Sequence, residues 1–460
     1  MGRGYMLSLR KSRVIRNNDR NHASTGRAFP ETPCGASVTA SIDCGGVPSP
    51  DSTRKLFSSS GMKSVILLVF LCCLSALMDT RSIASLQGSD FPHFYCAARM
   101  LADGHGHQLY DADIQRRYQA RYAGRIGTLY THPPFEAALY LAVAWLPLRY
   151  AYVLWSLLLM AFLVPAAGRL AGDALVPWDW RFLPVGTLTF APSLICLLQG
   201  QDSLILLALV VLGFTELRRE KGFAAGCWLA LGLFKFQIVL PLTLVLVLTQ
   251  SRKLTFNFVK GLGLTALALT GVSIAISGWS VLTLYPEFLL HFKEQPLGGL
   301  APQAMPNFRG LLYLISRNDR SFFEVAALIT LSAAALIATL DTWKRARSAS
   351  LRNPANGRGD EFDLAFGNTV LFALLVSYHL NPHDLSLVLL PISLMLYHRF
   401  VGTPRLPRLA SWITTVLIGI LFLPPLHLYT LGAGVYGLVS LPLLALFLSG
   451  AFLARRNPAV

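Results

Sequence analysis

Asp90 is the first of four polar groups that lie beside or within apolar stretches of this chain, where a polar side chain is costly to bury and tends to serve a function. It stands in the segment SDFPHFY, residues 89–95. An aspartate at this place can be a helix N-cap, which accepts backbone N–H groups. It can equally be a general base, because a carboxylate takes the proton of a hydroxyl group as that oxygen attacks. The residues alone leave both interpretations open.

Two further polar groups follow in the middle of the chain. Gly200-Gln201-Asp202 separates two apolar segments, and a tight turn explains its glycine and aspartate better than its glutamine. Lys235 stands alone in a long uncharged stretch. One interpretation is that its side chain snorkels to a membrane interface. The functional interpretation is a cation that neutralises the charge developing on a phosphate leaving group.

The fourth group is the segment SYHLNPHD, residues 377–384, which contains His379, His383 and Asp384. A polar hairpin turn explains Asn381-Pro382 but not the two histidines. Histidine side chains can donate hydrogen bonds to a phosphate or bind a sugar. The possible metal ligands are too few to predict a metal site.

Apolar helices are the elements that position these groups. The chain of 460 residues is 53% hydrophobic and only 14% charged, whereas a soluble domain has roughly a quarter charged residues. Uncharged runs of about 18 or more apolar residues indicate transmembrane helices. We therefore predict an all-α polytopic membrane protein with about 12 transmembrane helices, in which a polar loop with one amphipathic helix, Asp90 to Ala102, follows the first span. The predicted apolar segments are 63–79, 134–147, 148–171, 182–198, 202–217, 222–249, 257–277, 323–342, 363–380, 384–400, 408–425 and 431–453.

The positive charges orient the second half of the chain. The formal net charge is +16, and we explain it by Lys and Arg in short cytoplasmic loops rather than by nucleic-acid binding. Asp90, the turn at 380–384 and Arg309, which by itself is an ordinary loop charge, then share the extracytoplasmic side. The basic segments assigned to the cytoplasm are 344–358, 398–408 and 455–456, together with Arg252 and Lys253.

One stretch does not fit this scheme. Arg218, Arg219 and Lys221 belong in the cytoplasm by their charge, but counting 222–249 as one span puts them outside. Splitting 222–249 near Lys235 corrects the charges and leaves two halves that are short for a span. One segment between 133 and 199 must then fail to cross the membrane. Both arrangements stay open at this point.

The N-terminal segment 1–61 differs from the rest of the chain. It is rich in Arg, Asn, Ser, Gly and Pro and cannot bury enough apolar surface to fold alone. At Met62-Lys63 an apolar run begins that is typical of a signal anchor. We hypothesise that 1–61 is a dispensable, disordered basic extension from a misassigned translation start, and that 62–455 is the membrane domain. Peptides from residues 1–50 in mass spectra of the native protein would contradict the misassigned start.

The seven cysteines form no CxxC pair and no Cys/His metal spacing. We therefore predict neither a zinc site nor a disulfide framework. Most of the cysteines lie in or beside apolar segments, where cysteine behaves as a small hydrophobic residue.

A set of short motifs, in a fixed order, resembles glycosyltransferase family 87, the polyprenol-phosphate-sugar-dependent membrane glycosyltransferases that include mannosyltransferases of phosphatidylinositol mannoside synthesis. The similarity runs from about Met62 to residue 400. This chain differs from the usual pattern after Lys235, where the family's proline is displaced to Pro241, and in the last motif. The motifs are Asp90-Phe91, Ala97-Ala98-Arg99 with Gly104, Leu109-Tyr110-Asp111, Tyr130 to Phe135, Gly200-Gln201-Asp202, Ala225-Gly226 to Lys235, Asn307 to Gly310, and Ser377 to Asp384.

The resemblance implies a GT-C-type helical bundle with its active site at the extracytoplasmic face of the cell inner (plasma) membrane. The donor would be a polyprenyl-phosphate-linked sugar, most often mannose, and the acceptor a lipid or a glycan, without nucleic acid, cofactor or metal. The expected reaction inverts the anomeric centre in one step with Asp90 as the general base, whereas a glycosidase needs a pair of carboxylates. The donor or substrate contacts expected by resemblance and by position are Lys235, Arg309, His383, His379, Asp384, Gln201 and Tyr95.

Two other functions remain compatible with the residues. A multi-pass transporter or lipid flippase would share the many spans and would carry polar groups near the middle of the membrane. A polymerase or ligase acting on lipid-linked substrates would share the extracytoplasmic site. Catalytic groups gathered on one face favour an enzyme, and groups spread through the membrane depth favour transport.

Overall fold

The computed structural model describes residues 89–124, 126–172, 182–291, 301–316, 322–352, 359–400 and 408–453. In these stretches the chain is helical and forms no strand, which confirms the predicted all-α class. The N-terminal segment 1–61 and the predicted first span at 63–79 lie outside the described residues. The amphipathic helix predicted from Asp90 to Ala102 is present as Phe91–Ala102.

The α-helices are numbered here in chain order. Short 3₁₀ segments connect several of them, at Gly106–Gln108, Leu233–Lys235, Pro302–Ala304, Pro382–Val388 and Tyr436–Val439. The described α-helices are α1 (Phe91–Ala102), α2 (Ala112–Ala123), α3 (Pro134–Leu139), α4 (Leu141–Ala144), α5 (Leu148–Gly172), α6 (Phe182–Thr189), α7 (Ala191–Gln199), α8 (Ser203–Arg218), α9 (Gly222–Leu231), α10 (Phe236–Thr249), α11 (Arg252–Ser277), α12 (Val281–His291), α13 (Phe308–Ser316), α14 (Phe322–Arg352), α15 (Asp360–Val376), α16 (Leu389–Phe400), α17 (Arg408–Phe422), α18 (Pro424–Gly432) and α19 (Ser440–Leu453).

The number of spans is lower than predicted. Two bent helix pairs are apolar enough only when each pair is taken together, Gly222–Leu231 with Leu233–Thr249 and Trp412–Phe422 with Pro424–Gly432. If each pair were one span, the described residues would hold up to six candidate spans. The prediction of about 12 transmembrane helices is therefore not supported by the described part of the chain. The four single helices that are long and apolar enough to cross a bilayer are Leu148–Leu170, Arg252–Ser277, Phe322–Ala349 and Tyr436–Leu453.

Breaks in the helices explain part of this difference. The segment predicted at 182–198 is divided at Phe190, because Pro192 begins a new helix and cannot continue the previous one. The segment predicted at 134–147 is divided at Tyr140 into α3 and α4. An apolar composition shows where a segment can be buried, but it does not show where the helix is interrupted.

The segment 134–147 packs beside α1 instead of crossing as one helix. The guanidinium of Arg99 donates to the Ala144 carbonyl oxygen at 2.9 Å. The Tyr95 hydroxyl donates to the Leu146 carbonyl oxygen, also at 2.9 Å. Of the described segments between 133 and 199, neither 134–147 nor 182–198 forms a single helix long enough to cross a bilayer, whereas Leu148–Leu170 does.

Helix α9 runs antiparallel to α8. Gly213 near the end of α8 lies against Leu229, while Gly232, just after α9, lies against Leu206 near the start of α8. Residues with higher numbers on α8 therefore contact residues with lower numbers on α9, as in an antiparallel pair. The small glycines allow the close approach of the two helices.

Helix α9 also runs parallel to α11. Gly222 lies against the backbone of Leu254, and Gly226, one turn later, lies against the backbone of Phe258. Because α10 joins the end of α9 to the start of α11, the chain must turn back at Lys235. The segment 222–249 is therefore a helical hairpin with Lys235 at its tip.

This hairpin decides between the two arrangements that the charges left open. Arg218 and Lys221 before the hairpin and Arg252 after it lie at the same end of the bundle, which we name the basic end. An ion pair between Arg218 and Asp363 joins α8 to α15 there, with 2.8 Å between Nε and Oδ1. Lys235 lies at the other end, named the site end. The split of 222–249 near Lys235 is thus the arrangement that the packing supports.

Candidate functional site

Asp90 precedes α1, but its side chain does not cap the helix. The Ser89 hydroxyl accepts a hydrogen bond from the Phe91 backbone N–H instead, at 3.3 Å. The Oδ2 atom of the half-buried Asp90 carboxylate accepts a hydrogen bond from Gln201 Nε2 at 2.7 Å. The helix-cap interpretation of Asp90 is therefore not supported, and the carboxylate is oriented by a residue far away in sequence.

The turn that carries Gln201 is held by backbone contacts. Gly200 ends α7 in the left-handed conformation, with a φ of 65°, which favours glycine. A Cβ atom at this position would also collide with the Phe91 side chain. The Gly200 carbonyl oxygen accepts a hydrogen bond from the Trp155 indole N–H at 2.9 Å. These contacts fix the position of the Gln201 side chain relative to Asp90.

Lys235 forms a buried ion triad with Asp202 and Asp384. Its Nζ atom lies 3.2 Å from Asp202 Oδ1 and 3.0 Å from Asp384 Oδ1. Only 1% of the lysine and none of either aspartate is exposed. The side chain of Lys235 therefore does not snorkel to an interface, and its charge is already matched by two carboxylates.

The turn before α16 contributes Asp384 through a capping box. Asp384 Oδ2 accepts a hydrogen bond from the Asn381 backbone N–H at 2.8 Å, and the Ser203 hydroxyl donates to Asp384 Oδ1 at 2.7 Å. Two of the lone-pair positions on this carboxylate are thus used in addition to the ion pair with Lys235. The fully buried Asp384 links the start of α8 to the turn at 381–384.

His383 joins the same cluster. Its Nε2 atom lies 3.5 Å from Lys235 Nζ, and its Nδ1 atom lies 2.9 Å from Gln199 Oε1. An ammonium group can only donate, and an amide oxygen can only accept. The partners therefore assign a neutral imidazole that accepts at Nε2 and donates from Nδ1.

Four of the residues expected to contact substrate are used in this way by the protein itself. Lys235, His383 and Asp384 are buried and contact one another. Tyr95 is 3% exposed, and its hydroxyl is bonded to the backbone at Leu146. In this structure the polar atoms of these four side chains are bonded within the protein, because distant elements, which the sequence does not show, bury them. Their roles as donor or substrate contacts stay predictions.

Arg309 and His379 lie together at a second part of the site end. Asn307 Nδ2 donates to the Ser377 carbonyl oxygen at 2.6 Å, which ties the start of α13 to the end of α15. The Arg309 guanidinium lies 4.1 Å from the centre of the Tyr378 ring and donates to the Tyr378 carbonyl oxygen at 3.3 Å. Arg309 is buried, Tyr378 is 57% exposed and His379 is half-buried. This part of the site therefore places an arginine beneath a tyrosine that reaches the surface.

Glu136 and His132 were not predicted as site residues. His132 Nδ1 lies 2.9 Å from Glu136 Oε2, and the glutamate is fully buried. Burial raises the pKa of Glu136 to about 8 and lowers the pKa of His132 to about 4. At neutral pH both groups are therefore largely uncharged. A glutamate in an apolar segment, four residues after a histidine, is the signal in the sequence that could have identified this pair.

His93 places the pair near Asp90. The His93 ring stacks on the His132 ring, with 6.2 Å between the ring centres, and His93 lies one helical turn after Asp90. Burial lowers the pKa of His93 to about 4, so this imidazole is also neutral at pH 7. Within the described residues, no group of three or more His, Cys, Asp or Glu side chains could hold a metal ion. The site thus consists of a half-exposed carboxylate above a buried polar cluster.

Comparison with known proteins identifies the family. Residues 130–359, half of the chain, match the model of glycosyltransferase family 87. The chain belongs to glycosyltransferase family 87. No curated protein and no solved structure matches it. The segment that matches family 87 contains Gln201, Lys235 and Arg309, while Asp90 and the 379–384 turn flank it.

Membership of family 87 confirms the resemblance seen in the motifs and the fit to the GT-C superfamily. The protein is a membrane glycosyltransferase that takes a sugar donor and an acceptor, as predicted at that level. The family assignment favours an enzyme over a transporter or flippase. The sugar, the donor lipid, the acceptor and the catalytic base are proposed below from the chemistry of the site.

Proposed function

We propose that this family 87 enzyme transfers a sugar, mannose first among the candidates, from a polyprenyl-phosphate donor to a lipid or glycan acceptor at the extracytoplasmic membrane face. The transfer inverts the anomeric centre, and Asp90 is the general base. The observation that carries this proposal is the hydrogen bond of 2.7 Å from Gln201 to Asp90 Oδ2, which orients a half-exposed carboxylate. A helix cap would not need this partner.

The chemistry needs one base and one stabilised leaving group. The acceptor hydroxyl gives its proton to Asp90 while its oxygen forms a bond to the anomeric carbon of the sugar. The bond from that carbon to the phosphate oxygen breaks, and the polyprenyl phosphate leaves with the electron pair. Gln201 holds Oδ2, so Oδ1 is the oxygen that receives the proton. A single displacement of this kind inverts the configuration.

Arg309 and His379 are the proposed contacts for the donor phosphate. A cation beside the leaving phosphate stabilises the charge that develops in the transition state. The guanidinium of Arg309 is itself buried, with 6% of the residue exposed, and it packs against the exposed ring of Tyr378, the residue before His379. Lys235 is less suited to this role, since two aspartates already neutralise it.

An apolar groove that is largely open to the outside of the helix bundle supports a lipid-linked substrate. It has a volume of about 710 Å³ and lies among α10, α14 and α15. One wall ends at Val376, directly before the Ser377-Tyr378 segment that contacts Arg309. An isoprenoid chain bound there would leave its phosphate at the proposed Arg309 contact. The groove is lined by Leu240, Pro241, Thr243, Leu244, Val247, Ser332, Ala333, Leu336, Phe372 and Val376.

The first prediction tests the base with Asp90→Asn. Asparagine keeps the size of aspartate but does not accept a proton at neutral pH, so sugar transfer should fall by about 10²- to 10⁴-fold. Purified wild type and variant would be offered radiolabelled polyprenyl-phosphate mannose, then other polyprenyl-phosphate sugars, with a total lipid extract. The labelled product would be measured.

Asp111→Asn is the matched control. Asp111 is a true N-cap, whose carboxylate accepts hydrogen bonds from the backbone N–H groups of Asp113 and Ile114. Asparagine also caps helices well, so this variant should keep full activity. Equal transfer by wild type and Asp90→Asn would reject Asp90 as the base. Absence of transfer by wild type with every donor would favour the transporter.

A further inference from the structure

The ion triad of Lys235, Asp202 and Asp384 joins three separate elements of the site end. Asp202 belongs to the turn between α7 and α8, Lys235 is the tip of the α9–α10 hairpin, and Asp384 belongs to the turn before α16. The lysine is the cation between the two carboxylates, at 3.2 and 3.0 Å. Without it, two buried like charges would face each other across the contact between the two turns.

The triad lies directly next to the residue that orients Asp90. Asp202 follows Gln201 in the chain, and Gln201 Nε2 donates to Asp90 Oδ2. Gln199, at the other end of the same turn, is bonded to His383, the neighbour of Asp384. The turn at 199–202 is thus attached to the turn at 381–384 at both ends, and any separation of the two turns moves Gln201.

Direct contact between Lys235 and a donor phosphate would require the loss of one of its carboxylate partners. Only 1% of Lys235 is exposed, and neither aspartate is exposed at all. Breaking a buried ion pair by removing one partner leaves a charge without compensation, which is strongly unfavourable. The position of Lys235 therefore fits a cation that holds the protein together at this point.

We propose that Lys235 is a positioning residue, which binds the 199–202 turn to the 381–384 turn and thereby fixes Gln201 on Asp90 without touching the donor. This inference rests on the proposed role of Asp90 as the base. It predicts that, once the lysine is removed, the two carboxylates without a cation lower the stability and the kcat. Neutralising one of the carboxylates should then restore part of both.

The test compares Lys235→Met with Lys235→Met/Asp384→Asn. Lys235→Met removes the cation between two buried carboxyl groups, and the double variant also replaces one of those carboxyl groups with a neutral amide. We expect Lys235→Met to lose melting temperature and about 10²-fold in kcat, because small displacements of catalytic groups have effects of this size. The KM for the donor should stay near the wild-type value. The double variant should recover most of the melting temperature and come within about tenfold of wild-type kcat, since contacting residues are not additive.

Lys260→Met is the control for loss of a lysine. Lys260 is exposed on α11 and should change neither the melting temperature nor the kinetics. If Lys235→Met cannot be purified, recovery of the folded double variant carries the same information. A Lys235→Met protein with normal melting temperature and a raised donor KM, not repaired by Asp384→Asn, would overturn the proposal and assign Lys235 to the phosphate.

The two proposals fail in different ways. If wild type transfers no sugar from any donor, the proposed function fails, but the melting temperatures of the single and double variants still test the triad. If wild type is active and the double variant is no more stable than Lys235→Met, the positioning role fails while the function stands.

Discussion

At the scale of single residues, the site depends on contacts between parts of the chain that are far apart. Asp90 and Gln201 are separated by 111 positions, yet they are joined by a hydrogen bond. The type of residue in an apolar context was enough to select Asp90 and Lys235 from the sequence. Gln201 and Asp384 were selected as well, but the sequence did not pair them with Asp90 and Lys235, because only the packing of several helices brings Asp202 and Asp384 to the same lysine.

Glu136 gives a prediction about pH and stability. Its pKa is raised by burial from 4.5 to about 8, so the folded protein holds a proton that the unfolded chain releases above pH 4.5. The free energy of unfolding should therefore fall as pH rises through this window, by up to about 1.4 kcal/mol per pH unit from this group. Glu136→Gln, which resembles the protonated acid, should remove that part of the decline.

Melting temperatures of the detergent-purified proteins between pH 5 and 9 would measure this effect. The wild-type curve should fall towards the Glu136→Gln curve, or below it, as the pH increases. Glu136→Asp keeps the titrating group and controls for the loss of packing at this position. Parallel curves for wild type and Glu136→Gln would show that Glu136 does not carry the proton.

At the scale of helices, the hairpin at 222–249 is the element that the sequence described least well. The hydrophobicity of 222–249 predicted one long span. The positive charges at both of its ends, however, required the segment to cross the membrane an even number of times or not at all. The turn at Lys235 places the basic residues at both ends of the segment on the same side. A lysine inside the bundle is tolerated there because buried carboxylates pair with it. Those carboxylates come from other elements, so the sequence of the hairpin alone does not contain the answer.

The close packing of α9 on α11 predicts the effect of a glycine substitution. A Cβ atom at Gly261 would collide with the backbone carbonyl of Phe223, which cannot move without the whole of α9. Gly261→Val should therefore destabilise the protein by about 1–3 kcal/mol or more, as overpacking does. The melting temperature and the yield of folded protein from the membrane would fall together.

Gly263→Val is the matched control on the same helix. No atom lies within 4 Å of a Cβ placed at Gly263, so valine there meets open space. This variant should stay within about 0.5 kcal/mol of the wild type, as surface substitutions usually do. Equal losses for both variants would mean that the helix, and not its contact with α9, is sensitive to valine.

At the scale of the whole molecule, the fold class was predictable and the number of spans was not. Low charge content and long apolar stretches require a helical membrane protein, because a helix satisfies its own backbone hydrogen bonds in lipid. The count depends on breaks such as the one at Phe190 and on segments such as 134–147, which forms two short helices beside α1 instead of one long helix. Composition alone does not distinguish a short buried helix from part of a span.

The orientation of the bundle gives the last prediction. Asp90, Arg309 and the 381–384 turn lie at the site end, whereas Arg218, Lys221 and Arg252 lie at the basic end, where the positive-inside rule places the cytoplasm. Cysteines introduced at exposed positions of the two ends should therefore differ in reactivity. Gly106, just before α2, lies against Ile276 at the end of α11 opposite Arg252, so Asp113→Cys on α2 should react with a membrane-impermeant thiol reagent in intact cells. Trp343 on α14 lies against Phe362, the neighbour of Asp363 at the basic end, so Ser348→Cys near the end of α14 should react only after permeabilisation.

The labelling experiment has a clear background. Of the cysteines in the described residues, Cys96 and Cys196 are buried and Cys227 is partly buried, so unsubstituted protein gives the baseline. A permeant reagent should label both variants equally, which controls for the accessibility of the two positions. Labelling of Ser348→Cys but not Asp113→Cys in intact cells would place the site end in the cytoplasm. Asp90 could then not meet an extracytoplasmic acceptor, and a donor presented on the cytoplasmic side would replace the one proposed.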